Sequence, residues 1–187
     1  FQPIGTYNIQ WGCSWDGVNF SWQTMSGLLG GGTNKGVEIE SAHGDVYFAY
    51  SGRTDNKLYI YDSWNGWRHL MNATTQSLPA LSKQGNNASQ DEKLCVMQRG
   101  MDYNGQLWMS CLYRYGSNYD QWNWHPWQRQ QGETNDAPAM AYDDGILGQL
   151  HRGNDNKIYM RILRRPAPVG RGYISHFNWN SQLDVTH

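Results

Sequence analysis

Cysteine is scarce in this chain: Cys13, Cys95 and Cys111 are the only three in 187 residues. An odd set allows at most one internal disulfide, and no Cys-x-x-Cys spacing points to a structural zinc. Histidine gives no metal pattern either. Its six residues (43, 69, 125, 151, 176 and 187) stand singly, without His-x-x-His or His-Glu-x-x-His spacing. Charge of one sign is also lacking. Fifteen Lys plus Arg face sixteen Asp plus Glu, a formal net charge of −1, so the electrostatic footprint of a nucleic-acid binder is missing. No apolar run approaches the ~20 residues of a bilayer span, which argues against membrane insertion. Gly-x-Ser-x-Gly is absent, and no stretch of about 11–18 residues carries a helical period.

What the chain has in abundance is Trp (10), Tyr (12) and Gly (21), against only four Phe. Aromatic rings with a polar handle, among many glycines, suit short twisted strands and tight turns. The same rings suit a surface that stacks on sugars. The chain begins at Phe1 with no initiator Met, and three N-glycosylation sequons start at Asn19, Asn72 and Asn87. Both features lead to the expectation of a secreted protein that has lost a leader.

Self-similarity organises the rest. Ser51–Tyr61, Gln98–Met109 and His151–Arg161 align with one another, and Gly5–Trp15 is a worn fourth copy. The apolar anchors Ile9, Leu58, Leu107 and Ile158 are separated by 49, 49 and 51 residues. Alternation after each anchor, as in Leu58-Tyr-Ile-Tyr, reads as strand. A Trp-centred segment follows each (Trp22, Trp67, Trp127, Trp179), and two further strand candidates precede each of the last three anchors. One repeat is therefore four short strands, with Asp-Asn or Asn-Gly turns between the second and third.

Four-stranded units of about 40–50 residues are the signature of propeller blades. The expected fold is all-β: a small, four-bladed β-propeller occupying 1–187 as a single domain. Its parts would be a half-blade at 5–26, blades at 37–71, 78–130 and 138–181, and a closing strand at 182–187. Closure by the tail would remove two exposed sheet edges. The competing arrangement is a larger ring assembled from several chains, so a homo-oligomer stays open.

The motif Arg-Gly-x-Asp-Asn-Lys-Ile-Tyr at 152–159, its relative at 52–59, Trp-Asn-Gly-Trp at 64–67 and Pro-Ala at 79–80 and 138–139 carry a family likeness. Together they resemble the repeats of bacterial seven-bladed propeller lectins of the Photorhabdus type, and Asp-Asn-Lys-Ile-Tyr is similar to fungal fucose-specific propeller lectins. The resemblance implies sugar pockets between blades, lined by aromatic rings and a few polar side chains. The Glu that follows the strand Tyr in fucose lectins is Ile60 and Met160 here, so the sugar is not named by it.

The candidate carbohydrate-binding residues follow from the repeat. Tyr59, Trp108 and Tyr159 hold one equivalent position, and Arg53, Asp55, Arg99, Asp102, Arg152 and Asp155 sit just upstream in the turns. Aromatic faces meet the C–H side of a pyranose, and the polar groups meet its hydroxyls. The plainer reading is that the aromatics pack between blades and the turn Asp residues bond their own backbone. Trp122 and Trp124 lie in an insertion at 113–126, expected to be a protruding loop. Cys95 and Cys111 flank the 101–105 turn, and a cross-strand disulfide between them is geometrically open.

No catalytic residue, metal or cofactor is expected. Ser14-Trp-Asp-Gly17 only half resembles the Asp box of sialidase propellers, and Glu38 and Glu40 read more readily as solvated than as a carboxylate pair. The expected function is a secreted, non-enzymatic, multivalent lectin whose partners are glycans or glycoproteins. The alternatives are a protein-binding or inhibitor propeller in the manner of hemopexin-like domains and, less favoured, a glycosidase.

Overall fold

The computed structural model describes residues 9–25, 27–42, 44–62, 66–84, 93–101, 105–114, 122–143, 146–164 and 182–183. They form four antiparallel sheets, and the only helical element among them is a 3-10 turn at Leu29–Gly31. No helix among the described residues is long and apolar enough to cross a membrane.

The N-terminal sheet is a pair, β1 (Gln10–Cys13) and β2 (Ser21–Thr24). The first full sheet follows as β3 (Glu38–Ala42), β4 (Asp45–Ser51), β5 (Lys57–Asp62) and β6 (Gly66–Thr74), joined in chain order. The second contains β7 (Ala80–Gln84), β8 (Lys93–Arg99) and β9 (Gln106–Arg114). Its outer strand comes in two pieces, β10 (Trp122–Trp124) and β11 (Gln128–Glu133), both paired to β9. The third is β12 (Ala139–Asp143), β13 (Ile146–Arg152), β14 (Ile158–Arg164) and β15 (Gln182–Leu183).

The register places Ser51 opposite Leu58, Arg99 opposite Leu107 and Arg152 opposite Ile158, so the repeat read from the anchors is a structural repeat. The first strands β3, β7 and β12 lie side by side, β7 between the other two. The tail was expected to complete the N-terminal pair. Its two described residues instead pair with Ile158 and Tyr159 of β14, where they supply the fourth strand of the third sheet. Positions 184–187 lie outside the described residues.

Period-two alternation explains the packing. In the first sheet, Tyr47, Ala49, Leu58 and Ile60 turn to one side, where they meet Leu81, Leu94, Val96 and Leu112 of the second sheet. Complete burial of such a Leu or Ile contributes about 1.5–3 kcal/mol. On the other side of the first sheet, Tyr50 and Tyr59 pack against Ile9, Met25, Leu28 and Val37. Between the second and third sheets lies a smaller cluster of Cys95, Met109 and Cys111, with Met140 against it. Cys95 and Cys111 are directly opposite across β8 and β9 and form a disulfide; Cys13 is free and exposed.

One anchor departs from the pattern. Ile9, Leu58 and Leu107 are 6%, 0% and 1% exposed, whereas Ile158 is 37% exposed. The first two full sheets each cover this face with the next sheet. On the third, Ile146, Leu150 and Ile162 share the exposed face with Ile158.

Candidate functional site

The turn between second and third strands is built the same way in the first and third sheets. Gly52 N–H donates to the Lys57 carbonyl, and Gly153 N–H to the Lys157 carbonyl, each at 2.8 Å. Asn56 (φ 54°) and Asn156 (φ 65°) occupy the left-handed region that the turn needs, and Gly105 (φ 63°) holds the same place in the second sheet. The aspartate locks the turn. Lys57 N–H donates to Asp55 Oδ1 at 3.1 Å and the Tyr59 hydroxyl to Asp55 Oδ2 at 2.6 Å. The third sheet repeats this with Lys157 N–H to Asp155 at 3.2 Å and the Tyr159 hydroxyl to Asp155 at 2.8 Å. Gly52 and Gly153 are required because a Cβ at either would collide with the tyrosine ring and the aspartate.

Electrostatics follow from these bonds. Burial of Asp55 acts to raise its carboxyl, but the Tyr59 hydroxyl, the Lys57 N–H and the Lys57 charge together hold it below its ordinary value. Tyr59 is pushed up to about 12, first by burial and then by the Asp55 carboxylate. At the third turn the Tyr159 bond is the leading cause that lowers Asp155, and the same bond raises Tyr159. His151 is lowered by burial, with Asp155 acting against that.

The two copies differ in access. Tyr59 is 5% exposed. Its ring stacks on Tyr50 across the strands (centroids 5.5 Å apart, 27° between planes), and the Leu29–Gly31 turn closes over it. That turn is held by Thr54 N–H and Thr54 Oγ1 donating to the Gly30 carbonyl at 3.1 and 2.9 Å, and by the Tyr50 hydroxyl donating to the Leu29 carbonyl at 2.8 Å. Arg53 is exposed at this turn, and its N–H donates to the Gly32 carbonyl. Arg53, Asp55 and Tyr59 are thus brought together, but around a filled space.

At the third turn no described segment closes over the tyrosine as Leu29–Gly31 does over Tyr59; Gly132 packs on His151 instead. Tyr159 is half-buried, stacked on His151 (5.3 Å, 13°), and Asp155, Lys157 and Arg152 are exposed. Lys157 Nζ lies 3.9 Å from Asp155, and Arg152 pairs with Asp136, which leads into β12. In the second sheet Arg99 donates to the Asn135 carbonyl at 3.0 Å, and Trp108 is half-buried opposite Gln98. Asp102 lies outside the described residues. Trp122 opens β10, opposite Arg114, while Trp124 packs against the core between first and second sheets; positions 115–121 of the insertion, where the protruding loop was expected, lie outside the described residues. Of the sequon residues, Asn19 is exposed with its amide donating to Asp16 at 2.7 Å, Asn72 lies in β6, and Asn87 is outside the described residues.

A second repeated device went unread in the sequence. Thr33, Thr75 and Thr134 each stand five residues before a first strand, all three buried. Each hydroxyl accepts the N–H two residues on, from Lys35, Ser77 and Asp136 at 3.2, 3.2 and 2.9 Å. Thr75 and Thr134 also donate their N–H to Asn56 and Gly105, which ties each sheet's left-handed turn to the start of the next sheet. The signal was present as Thr-x-x-x-x-strand, hidden by unequal spacing between copies. Glu40 adds another such tie, accepting the Lys83 N–H of β7 at 3.2 Å.

These sheets and turns define an all-β repeat protein whose third inter-strand turn is more open than its first. No family model and no curated protein matches the chain.

Proposed function

We propose that this chain is a secreted, non-enzymatic, carbohydrate-binding β-propeller module that uses its third inter-strand turn as a glycan platform. Side-by-side first strands, repeat-equivalent turns and successive face-to-face sheets support the propeller reading, with the N-terminal pair as the outer half of a fourth blade. The observation that carries the sugar reading is the third turn. There a half-exposed Tyr159 ring is fixed by His151 and Asp155 beside the exposed Lys157. A ring held rigid offers its face to pyranose C–H groups without losing rotamer freedom on binding, and exposed carboxylate and cationic groups hydrogen-bond hydroxyls. The likeness of 152–159 to propeller-lectin repeats points the same way. Glycan partners bound by repeated weak sites would gain through avidity.

A glycan array at micromolar protein tests the reading. Binding that Tyr159→Ala and Asp155→Ala each abolish, with the melting temperature held, is the expected result; silence across the array refutes it. A second reading, a protein-binding module, is favoured by the exposed apolar residues Trp15, Val18 and Phe20 of the β1–β2 loop and Trp22 of β2. It requires a protein partner that free sugar does not displace.

A further inference from the structure

Among the described residues the N-terminal pair has no first or second strand beside it, and the place such strands would take is visible. By repeat position, β1 corresponds to third strands and β2 to fourth strands, since Ile9 is the anchor that Leu58 and Leu107 are elsewhere. Among the described residues β1 pairs only with β2, and no described strand lies on its other edge. Along that edge runs a cleft of about 610 Å³. It is lined by the consecutive residues Ile9 to Cys13 on one side and by Ile39, Val46 and Phe48 of the first sheet on the other.

The apolar wall of this cleft is the face that every other full sheet has covered. Val46, Leu94 and Leu147 hold one repeat position, five residues before the one opposite the anchor, and are 43%, 0% and 3% exposed. Ile39 and Leu81 hold another, at 60% and 5%. Leu81 and Leu94 cluster with Ala42, Tyr47 and Ala49 of the preceding sheet's first and second strands, together with Leu58, Ile60 and Ala73 of its third and fourth. At the N-terminal pair the third- and fourth-strand part is present, and no first- or second-strand part is among the described residues. Met25, Leu28 and Val37 already continue the packing of the N-terminal pair onto the first sheet up to the border of the cleft.

We infer that this cleft is a strand-acceptor site whose occupant is a β-hairpin with the chemistry of the repeat's own first and second strands. Such a hairpin pairs with that other edge of β1 and lays small and aromatic residues, as at Ala42, Tyr47 and Ala49, over Ile39 and Val46. Main-chain hydrogen bonds to the edge supply affinity, and the apolar wall selects the alternating side chains. The tail does not serve here through its described residues, because Gln182 and Leu183 are paired with β14. The inference rests on the blade reading of the fold and is independent of the sugar reading.

A fluorescently labelled synthetic peptide of residues 36–51, which contains β3 and β4, is the probe. Titration into the whole chain, followed by polarisation, is expected to show 1:1 binding. Hydrogen exchange is expected to show new protection at Gln10–Cys13 when the peptide is bound. Val46→Arg, at an exposed position that leaves the fold intact, should weaken binding about tenfold or more. Absence of peptide binding overturns the inference, as does β1 amide protection in the protein alone. Protection that vanishes on dilution also overturns it, because a second copy would then be the occupant. A protein that binds the peptide and no glycan would sink the sugar reading and leave this one standing.

Discussion

Replacing Tyr59 by Phe removes one hydroxyl and leaves the ring, so it isolates the bond to Asp55 from the stacking on Tyr50. The bond is short, at 2.6 Å, and ends on a carboxylate; hydrogen bonds to charged groups contribute about 1.5–3 kcal/mol. Asp55 is half-buried and keeps its Lys57 N–H, and water can reach part of it, which argues for the lower end, ~1.5 kcal/mol. For a chain of this size that is a fall in melting temperature of roughly 3–6 °C. Tyr159→Phe removes the equivalent bond at an exposed aspartate, where water substitutes at once, and melting should hardly move. Circular-dichroism melts of both variants, with a double-mutant cycle through Asp55→Asn, make the comparison. The pH dependence checks the cause. Asp55 is lowered, so its contribution is present above the ordinary carboxylate value and is lost as pH falls through the lowered one. Tyr59 is raised, so its contribution is present below the ordinary phenol value of about 10 and is lost as pH rises through about 12. Equal effects at Tyr59 and Tyr159, or an effect at Tyr59 that persists undiminished in strong acid, would refute the reasoning.

Gly105→Ala places a Cβ against the Thr134 carbonyl at a positive φ of 63° and should be among the most destabilising single changes, with a loss of at least ~2 kcal/mol in denaturant melts. Thr134→Val keeps the volume but removes the acceptor of the Asp136 N–H at a fully buried site, for an expected loss of about 1–3 kcal/mol in the same assay. Cys95→Ser with Cys111→Ser opens a cross-link of sequence separation 16, and the chain-entropy account gives ~3 kcal/mol, to be read from urea midpoints. Glu38 is raised by burial first and by Glu40 second, so its ionised form opposes folding as pH rises through the raised value. Glu38→Gln should therefore raise the melting temperature at neutral pH and give no gain in acid.

Much of the architecture was legible because it is periodic. The anchor spacing located the hairpins of all three full sheets, and the strands before each anchor fall within a residue or two of β4, β8 and β13. The opposition of Cys95 and Cys111 followed from counting outward from one turn. The candidate site was legible only as a set of positions. Tyr59 and Tyr159 look alike in sequence, yet one lies under the Leu29–Gly31 turn and the other opens to solvent, a difference made by a segment over twenty residues away from Tyr59. Stacking partners were equally hidden, since Tyr50 and His151 face the tyrosines only through the register of neighbouring strands.

Alternation, turn residues and repeat spacing are local properties, and they were enough to determine strands, turns and the four-strand unit of this chain. Which face of each strand is covered is a property of neighbouring sheets. Leu107 and Ile158 occupy one repeat position with the same local pattern, and only the tertiary arrangement buries the first and exposes the second. The tail shows the same division: its strand character was readable, but the pairing of Gln182 and Leu183 with β14 was not, because alternation does not say which strand lies alongside.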